Sequence, residues 1–225
     1  MTFLPGGQNI CGVTKGVLSL ESYFAKPPGH IKNPSSLPFT TTYEILHGIT
    51  VPELLNNPSP DMLDPILAAA RRLEARGVRA ITGSCGFLAM FQKEIAEAVS
   101  IPVFVSSLLQ VPLAYQMTRA PVGVLTASAR SLTDKHIAGA GCEGIPLVVQ
   151  GLDDRDEFAA VILRNERDGL DLDKVEAELL SAGRALIEKD PDIRAVVLEC
   201  TDLPPYAHRL QSELKRPIFD LTTLA

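Results

Sequence analysis

The features that would assign this chain most directly are missing from it. The opening MTFLPGGQNI has no basic segment followed by an apolar run, so it does not read as a secretion signal. No stretch reaches the roughly 20 apolar residues needed to span a bilayer, and a cytoplasmic location is the expectation. There is no block of Lys and Arg, and the net charge is −6, which argues against a nucleic-acid groove or an anionic membrane as partner. The cysteines are few and widely spaced, at Cys11, Cys85, Cys142 and Cys200, which excludes a disulfide framework. CxxC and HExxH are absent, and His30, His47, His136 and His208 show no metal-ligand spacing. Neither a metal nor any other cofactor is therefore expected.

What is present is an ordinary globular composition, 46% hydrophobic and 21% charged over 225 residues. Apolar β-branched runs alternate with segments of helical period, the pattern of an α/β fold in which helices cover parallel sheets. Strands are expected at 15–20, 40–46, 78–83, 102–105, 121–126, 145–150, 193–199 and 217–220. The clearest helices are expected at 61–76 and 172–189. Pro27, Pro28, Pro34 and Pro38 forbid a regular helix over 25–39, which should form an ordered loop over the sheet edge or the site.

The most informative feature is an internal repeat. Placing Cys85 on Cys200, an offset of 200 − 85 = 115, also aligns Arg79-Ala80 with Arg194-Ala195, Leu88 with Leu203, Pro102 with Pro217 and Phe104 with Phe219. Each copy reads strand, cysteine, helix, strand. The expected architecture is two pseudo-symmetric lobes, each a small parallel sheet flanked by helices, over residues 1–106 and 107–225. The active site is expected in the cleft between them, because ligands of such sheets bind beyond the carboxyl ends of the strands. In the first copy an apolar helix follows PVFV, whereas the second copy ends at Ala225 where that helix would start. Either the protein is naturally short there or the sequence is truncated, and the end of the chain is the part that could return to the first lobe.

A lone cysteine is ordinarily a small buried hydrophobe. Two cysteines at repeat-equivalent strand ends favour chemistry instead. Each should sit at a helix start, where backbone N–H groups can lower a thiol pKa from about 8.5 to roughly 3.5–7.5. Thr201 or Asp202 could cap the second helix, with Pro204 or Pro205 in its first turn. A thiol and a thiolate on opposite faces of one carbon can remove a proton from one side and deliver one to the other, which inverts a centre next to a carboxylate. The helix starts could bind the substrate carboxylate and the developing enolate. Cys11 and Cys142 are not placed for this. Gly139, Gly141 and Gly144 match GxGxxG in the wrong structural context and read as a helix stop and turn. His208 and the charged stretch from Arg155 to Arg167 read as helix surface.

With these residues in view, the chain resembles the aspartate/glutamate/hydantoin racemase superfamily. The resemblance rests on the two cysteines, the Cys200-Thr201 pair, GVLSLES near the start, SSLLQVP after the first half and GVLTAS opening the second. It implies a racemase or epimerase that needs no cofactor, acting on a small carboxylate or imide of aspartate, glutamate or hydantoin type. Cys85 and Cys200 would be its catalytic pair, and the protein a homodimer. It also implies Ser106, Thr126 and Thr201 as substrate contacts, with Ser19 or Glu21 as weaker ones. Two departures bear on the substrate. Gly86-Phe87 replaces the Asn-Thr that commonly follows the first cysteine, removing an amide and adding an aromatic beside the site. Glu199 stands where a small residue, usually Gly, precedes the second; facing the pocket it could bind an ammonium or exchange protons. The rivals are a cysteine-dependent decarboxylase or cis–trans isomerase on the same scaffold, and a non-catalytic small-molecule binder.

Overall fold

A computed structural model describes residues 11–225; the first ten residues, counted with the first lobe above, lie outside the described residues. Two four-stranded parallel sheets form. The first contains β1 (Lys15–Glu21), β2 (Thr41–Thr50), β3 (Ala80–Gly83) and β4 (Val103–Phe104) in the order β2-β1-β3-β4. The second contains β5 (Val122–Thr126), β6 (Leu147–Gly151), β7 (Ala195–Leu198) and β8 (Ile218–Phe219) in the order β6-β5-β7-β8. Every strand expected from the apolar runs is present, and the two sheets have the same topology.

Parallel strands are reached by crossovers, which place helices on both faces of each sheet. The central strands β5 and β7 are accordingly buried at every residue. The helix Leu172–Lys189 covers one face and shows how the sequence encodes such an element. Val175, Leu179, Ala182 and Leu186 recur at helical spacing as its buried stripe. Asp171 caps its start by accepting from the Lys174 N–H at 3.1 Å. At its other end Lys189 reaches the Val149 carbonyl of β6 at 2.9 Å. Gly183 lets this helix approach the helix Ala207–Leu214, since a Cβ there would lie 2.6 Å from Leu210.

The register makes the repeat quantitative. Lys15 pairs with Ala80 in the first sheet and Val122 with Ala195 in the second. The third strands therefore differ by 195 − 80 = 115 and the first strands by 122 − 15 = 107. Different loop lengths absorb the change of offset. Ser19 thus corresponds to Thr126, Ser84 to Glu199, Cys85 to Cys200, Gly86 to Thr201 and Phe87 to Asp202.

The lobes are joined by exchanged segments. After β4 the chain crosses over, and Leu108, Val111 and Ala114 pack on Val122, Val124, Ala195 and Val197 of the second sheet. After β8 the short helix Leu221–Leu224 packs back on Val17, Ile31 and Phe104 of the first. Asp220 caps that helix, and its carbonyl accepts from Gln110 Nε2 at 2.7 Å. No described helix is long and apolar enough to cross a membrane.

Candidate active site

Cys85 and Cys200 each lie two residues beyond the end of a central strand, β3 and β7, and both line one pocket between the lobes. Each is almost fully buried. Each thiol also sits against the backbone N–H two residues on, that of Phe87 or of Asp202. The local geometry is thus repeated faithfully, while the residues around it are not.

The helix starts differ from expectation. Cys85 leads into a 3-10 segment, Gly86–Phe91, and the α-helix begins only at Gln92. After Cys200 a turn precedes a 3-10 segment at Pro204–Tyr206, which has no side-chain cap. Thr201 is instead drawn across the lobe boundary, donating to the Ser84 carbonyl at 2.6 Å. Asp202 is occupied by His30 and Cys200. Short 3-10 turns carry little aligned dipole, and the expected depression of the thiol pKa values is overturned. Burial pushes both thiols well above the ordinary value. For Cys85 the Glu199 and Asp202 carboxyls add to this, with the Phe87 N–H and Lys32 opposing; for Cys200, Asp202 and Glu199 add to it. At neutral pH both are thiols at rest.

Glu199 faces the pocket. Its Oε2 accepts from Thr126 Oγ1 at 2.8 Å, and its Oε1 is buried without a hydrogen-bond partner among the described residues. Burial raises its pKa to about 7, with Thr126 and Ala127 opposing. Gly86 explains how it fits. A Cβ at 86 would lie 2.2 Å from both the Glu199 carbonyl oxygen and Oε1. The two departures noted in the sequence, no side chain after the first cysteine and a large one before the second, are therefore one packing feature.

Titration of Glu199 has a consequence for stability. A carboxyl whose folded pKa is raised from 4.5 to about 7 stabilises the fold fully below 4.5, and loses that contribution as pH rises to 7. Glu199→Gln should remove this component, on the order of 3 kcal/mol, from the pH dependence of urea unfolding. Equal slopes for the two proteins between pH 4.5 and 7 would contradict it.

The proline-rich loop supplies the site residues that the sequence reading missed. Lys32 and His30 line the same pocket. Lys32 Nζ donates to the Leu20 carbonyl and to Ser22 Oγ, each at 2.8 Å, which leaves one N–H for a ligand. His30 Nδ1 accepts from the Lys32 backbone N–H at 2.8 Å, so the ring proton is on Nε2, which donates to Asp202 Oδ1 at 2.9 Å. Asp202 Oδ2 in turn accepts from the Cys200 thiol at 3.4 Å. Burial alone would raise the Asp202 pKa, but His30 and Lys26 hold it below the usual carboxylate value. Two polar residues within a proline-rich stretch were the only signal in the sequence.

Of the other expected contacts, Phe87 lines the pocket and packs edge-on to His136 with ring centroids 4.9 Å apart. Gly86, Thr126 and Thr201 stand behind the wall, the last two bonded to Glu199 and Ser84. Ser106 caps the turn Ser107–Gln110 and does not reach the pocket. Ser19 opens on a neighbouring groove, and Glu21 is engaged by the Gly48 N–H and the Tyr23 hydroxyl.

Residues 33–225 match the sequence profile of Asp/Glu/hydantoin racemase. The chain belongs to that family. Solved structures of family fold agree in shape: an arylmalonate decarboxylase variant in a sulfate-associated form superposes with a TM-score of 0.62 at 15% identity, covering 93% of this chain and 88% of that one. Glutamate racemase from Bacillus anthracis gives 0.57 at 19% identity over 93% and 77%. At such identities the likeness concerns the fold. Among curated proteins, dimethylsulfoniopropionate lyase 5 of Emiliania huxleyi is 31% identical over 93% of this chain, and a dimethylsulfoniopropionate lyase of Durusdinium sp. clade D is 30% identical over 94%. The chain spans 43% of the length of the first and 72% of the second. The names of these relatives are those of lyases, not of racemases.

Proposed function

We propose that this family member is a lyase. It removes a proton from the carbon beside a carboxylate and expels a cationic leaving group from the next carbon, with dimethylsulfoniopropionate as the first substrate to test. The observation that carries this reading is the inequality of the two thiols. Lys32 lines the pocket with Cys85 and is a cation that opposes, in small part, the burial and carboxylates holding the Cys85 proton on, whereas Cys200 donates its proton directly to an ionised carboxylate. Inversion in both directions needs two thiols that exchange roles; elimination needs one base. The names of the 30–31% identical relatives support the same choice.

In this reading the remaining N–H of Lys32 binds the substrate carboxylate, which brings C2 beside Cys85. Glu199 and Asp202 form a wall that favours the dimethylsulfonium group. The Cys85 thiolate takes the C2 proton, and the C–H electron pair becomes the C2=C3 bond. The C3–S bond breaks with its pair on sulfur, so neutral dimethyl sulfide and acrylate leave, and the proton passes from Cys85 to water. Because Cys85 is a thiol at rest, the rate should rise from neutral to alkaline pH.

Headspace detection of dimethyl sulfide over the purified protein tests this directly. Release proportional to enzyme, increasing with pH, is expected. No release, together with inversion and α-proton exchange of aspartate, glutamate or a hydantoin in deuterated water, would return the racemase.

A further inference from the structure

The two cysteines occupy equivalent places in equivalent lobes, so their difference must come from the residues at which the two lobes diverge. The connections between the first two strands of each lobe are nearly equal in length but differ in content: Ser22 to Thr40, 19 residues, is the proline-rich loop carrying His30, Ile31 and Lys32, whereas Ala127 to Pro146, 20 residues, carries the helix Asp134–Gly139, whose His136 packs on Phe87 and not on a carboxylate. We infer that this loop is the device that makes the two thiols unequal, with His30 acting as a positioning residue that holds Asp202 against Cys200 while Lys32 attends Cys85. The inference deepens the lyase reading, on which its functional meaning rests.

The geometry is continuous from loop to sulfur. The Lys32 N–H fixes the His30 tautomer, His30 Nε2 donates to Asp202 Oδ1, and Asp202 Oδ2 accepts from Cys200. His30 is 2% exposed, so this bond is shielded from competing water. The loop is held in place from both lobes. Ile31 is buried against Val17 and Leu221, and its carbonyl accepts from the Tyr43 hydroxyl at 2.8 Å. Gly29, at φ +94°, lies so close to the second lobe that a Cβ would be 3.2 Å from Pro205 Cα. Asp202 itself stands where the first lobe has Phe87, so the acceptor given to Cys200 is withheld from Cys85. The charged and titratable groups acting on Cys200 are Asp202, Glu199 and Cys85; those facing Asp202 include His30, Lys26, Lys32, Glu199, Cys85 and Cys200.

Thiol alkylation tests the inference without any turnover. Rates of iodoacetamide labelling at Cys85 and Cys200 are followed separately by peptide mass spectrometry across a pH series. Asp202→Asn removes the carboxylate and should speed labelling of Cys200 about tenfold at a given pH, equivalent to one pKa unit, with Cys85 changing much less. His30→Ala should shift Cys200 in the same direction by a smaller factor, and His30→Gln, which restores a donor, should return it toward the native rate. Lys32→Met should slow Cys85 more than Cys200, which Lys32 reaches only through Asp202. Native labelling of Cys200 in both Asp202→Asn and His30→Ala, or parallel shifts of the two thiols in every variant, would overturn the inference. Asp202→Asn preserves shape and decides the matter should His30→Ala fail to fold: an unchanged Cys200 there overturns it. A protein that released no dimethyl sulfide yet showed this crossed pattern would refute the lyase reading alone.

Discussion

Cys85→Ala is expected to lower dimethyl sulfide release by about 10²–10⁴-fold, the range lost with a general base, while Cys200→Ala should cost far less. The asymmetry follows from the pocket. Cys85 is the thiol with a cation acting on it, beside the position where Lys32 would hold the carboxylate and so beside the acidic C–H bond. Cys200 has its proton committed to Asp202. Removing it takes away a wall group and a few contacts, but no proton acceptor. Steady-state rates for the two variants, with circular dichroism to confirm folding, check the prediction. Equal loss in both would mean that each thiol takes part in the reaction, and would restore the two-thiol mechanism in which neither variant can invert a centre.

A large effect on stability is expected from one methyl group at the site. Gly86→Ala should destabilise the fold by about 1–3 kcal/mol or more, as overpacking does in a close-packed interior. The added Cβ would lie 2.2 Å from the Glu199 carbonyl oxygen, and real Cβ contacts essentially never fall below 3.0 Å. That oxygen cannot swing aside, because the Glu199 N–H is bonded to the Leu125 carbonyl of the neighbouring strand at 2.8 Å. The Glu199 side chain could move, but only by leaving Thr126. Relief would therefore require the lobes to separate at the site, and loss of activity should accompany loss of stability. Gly169→Ala is the control, since nothing lies within 4 Å of a Cβ there. Its stability should change by no more than about 0.5 kcal/mol. Urea unfolding of both variants decides it, and near-native stability of Gly86→Ala would show that the lobes are not tightly packed at this seam.

Inversion chemistry was a reasonable expectation because the cysteines are equivalent by repeat, and equivalence suggests exchangeable roles. Chemical equivalence, however, depends on what surrounds each sulfur. At the strand ends the repeat is broken on both sides of the shared cysteine, Ser84 against Glu199, Gly86 against Thr201, and Phe87 against Asp202. Those differences are visible in an alignment of the two halves, but their meaning depends on where the side chains go. Asp202, expected as a helix cap, turns away from the helix because a buried imidazole and a thiol offer it two bonds that a three-residue 3-10 segment cannot.

The sequence by itself determined the eight strands, the long helix at 172–189 and the two lobes, because each depends on periodicity and local chemistry that short windows contain. It also placed both cysteines just beyond strand ends, since a βα junction is a local event. Only the tertiary structure decided that His30 and Lys32 belong to the site. They are brought there by a loop whose path is set by burial of Ile31 against Leu221 and by contact of Gly29 with Pro205, partners 221 − 31 = 190 and 205 − 29 = 176 residues away in sequence. It alone decided the state of the thiols as well. A backbone turn can be read from neighbours along the chain, but the pKa of a buried group is set by the charges and the dielectric that distant segments fold around it.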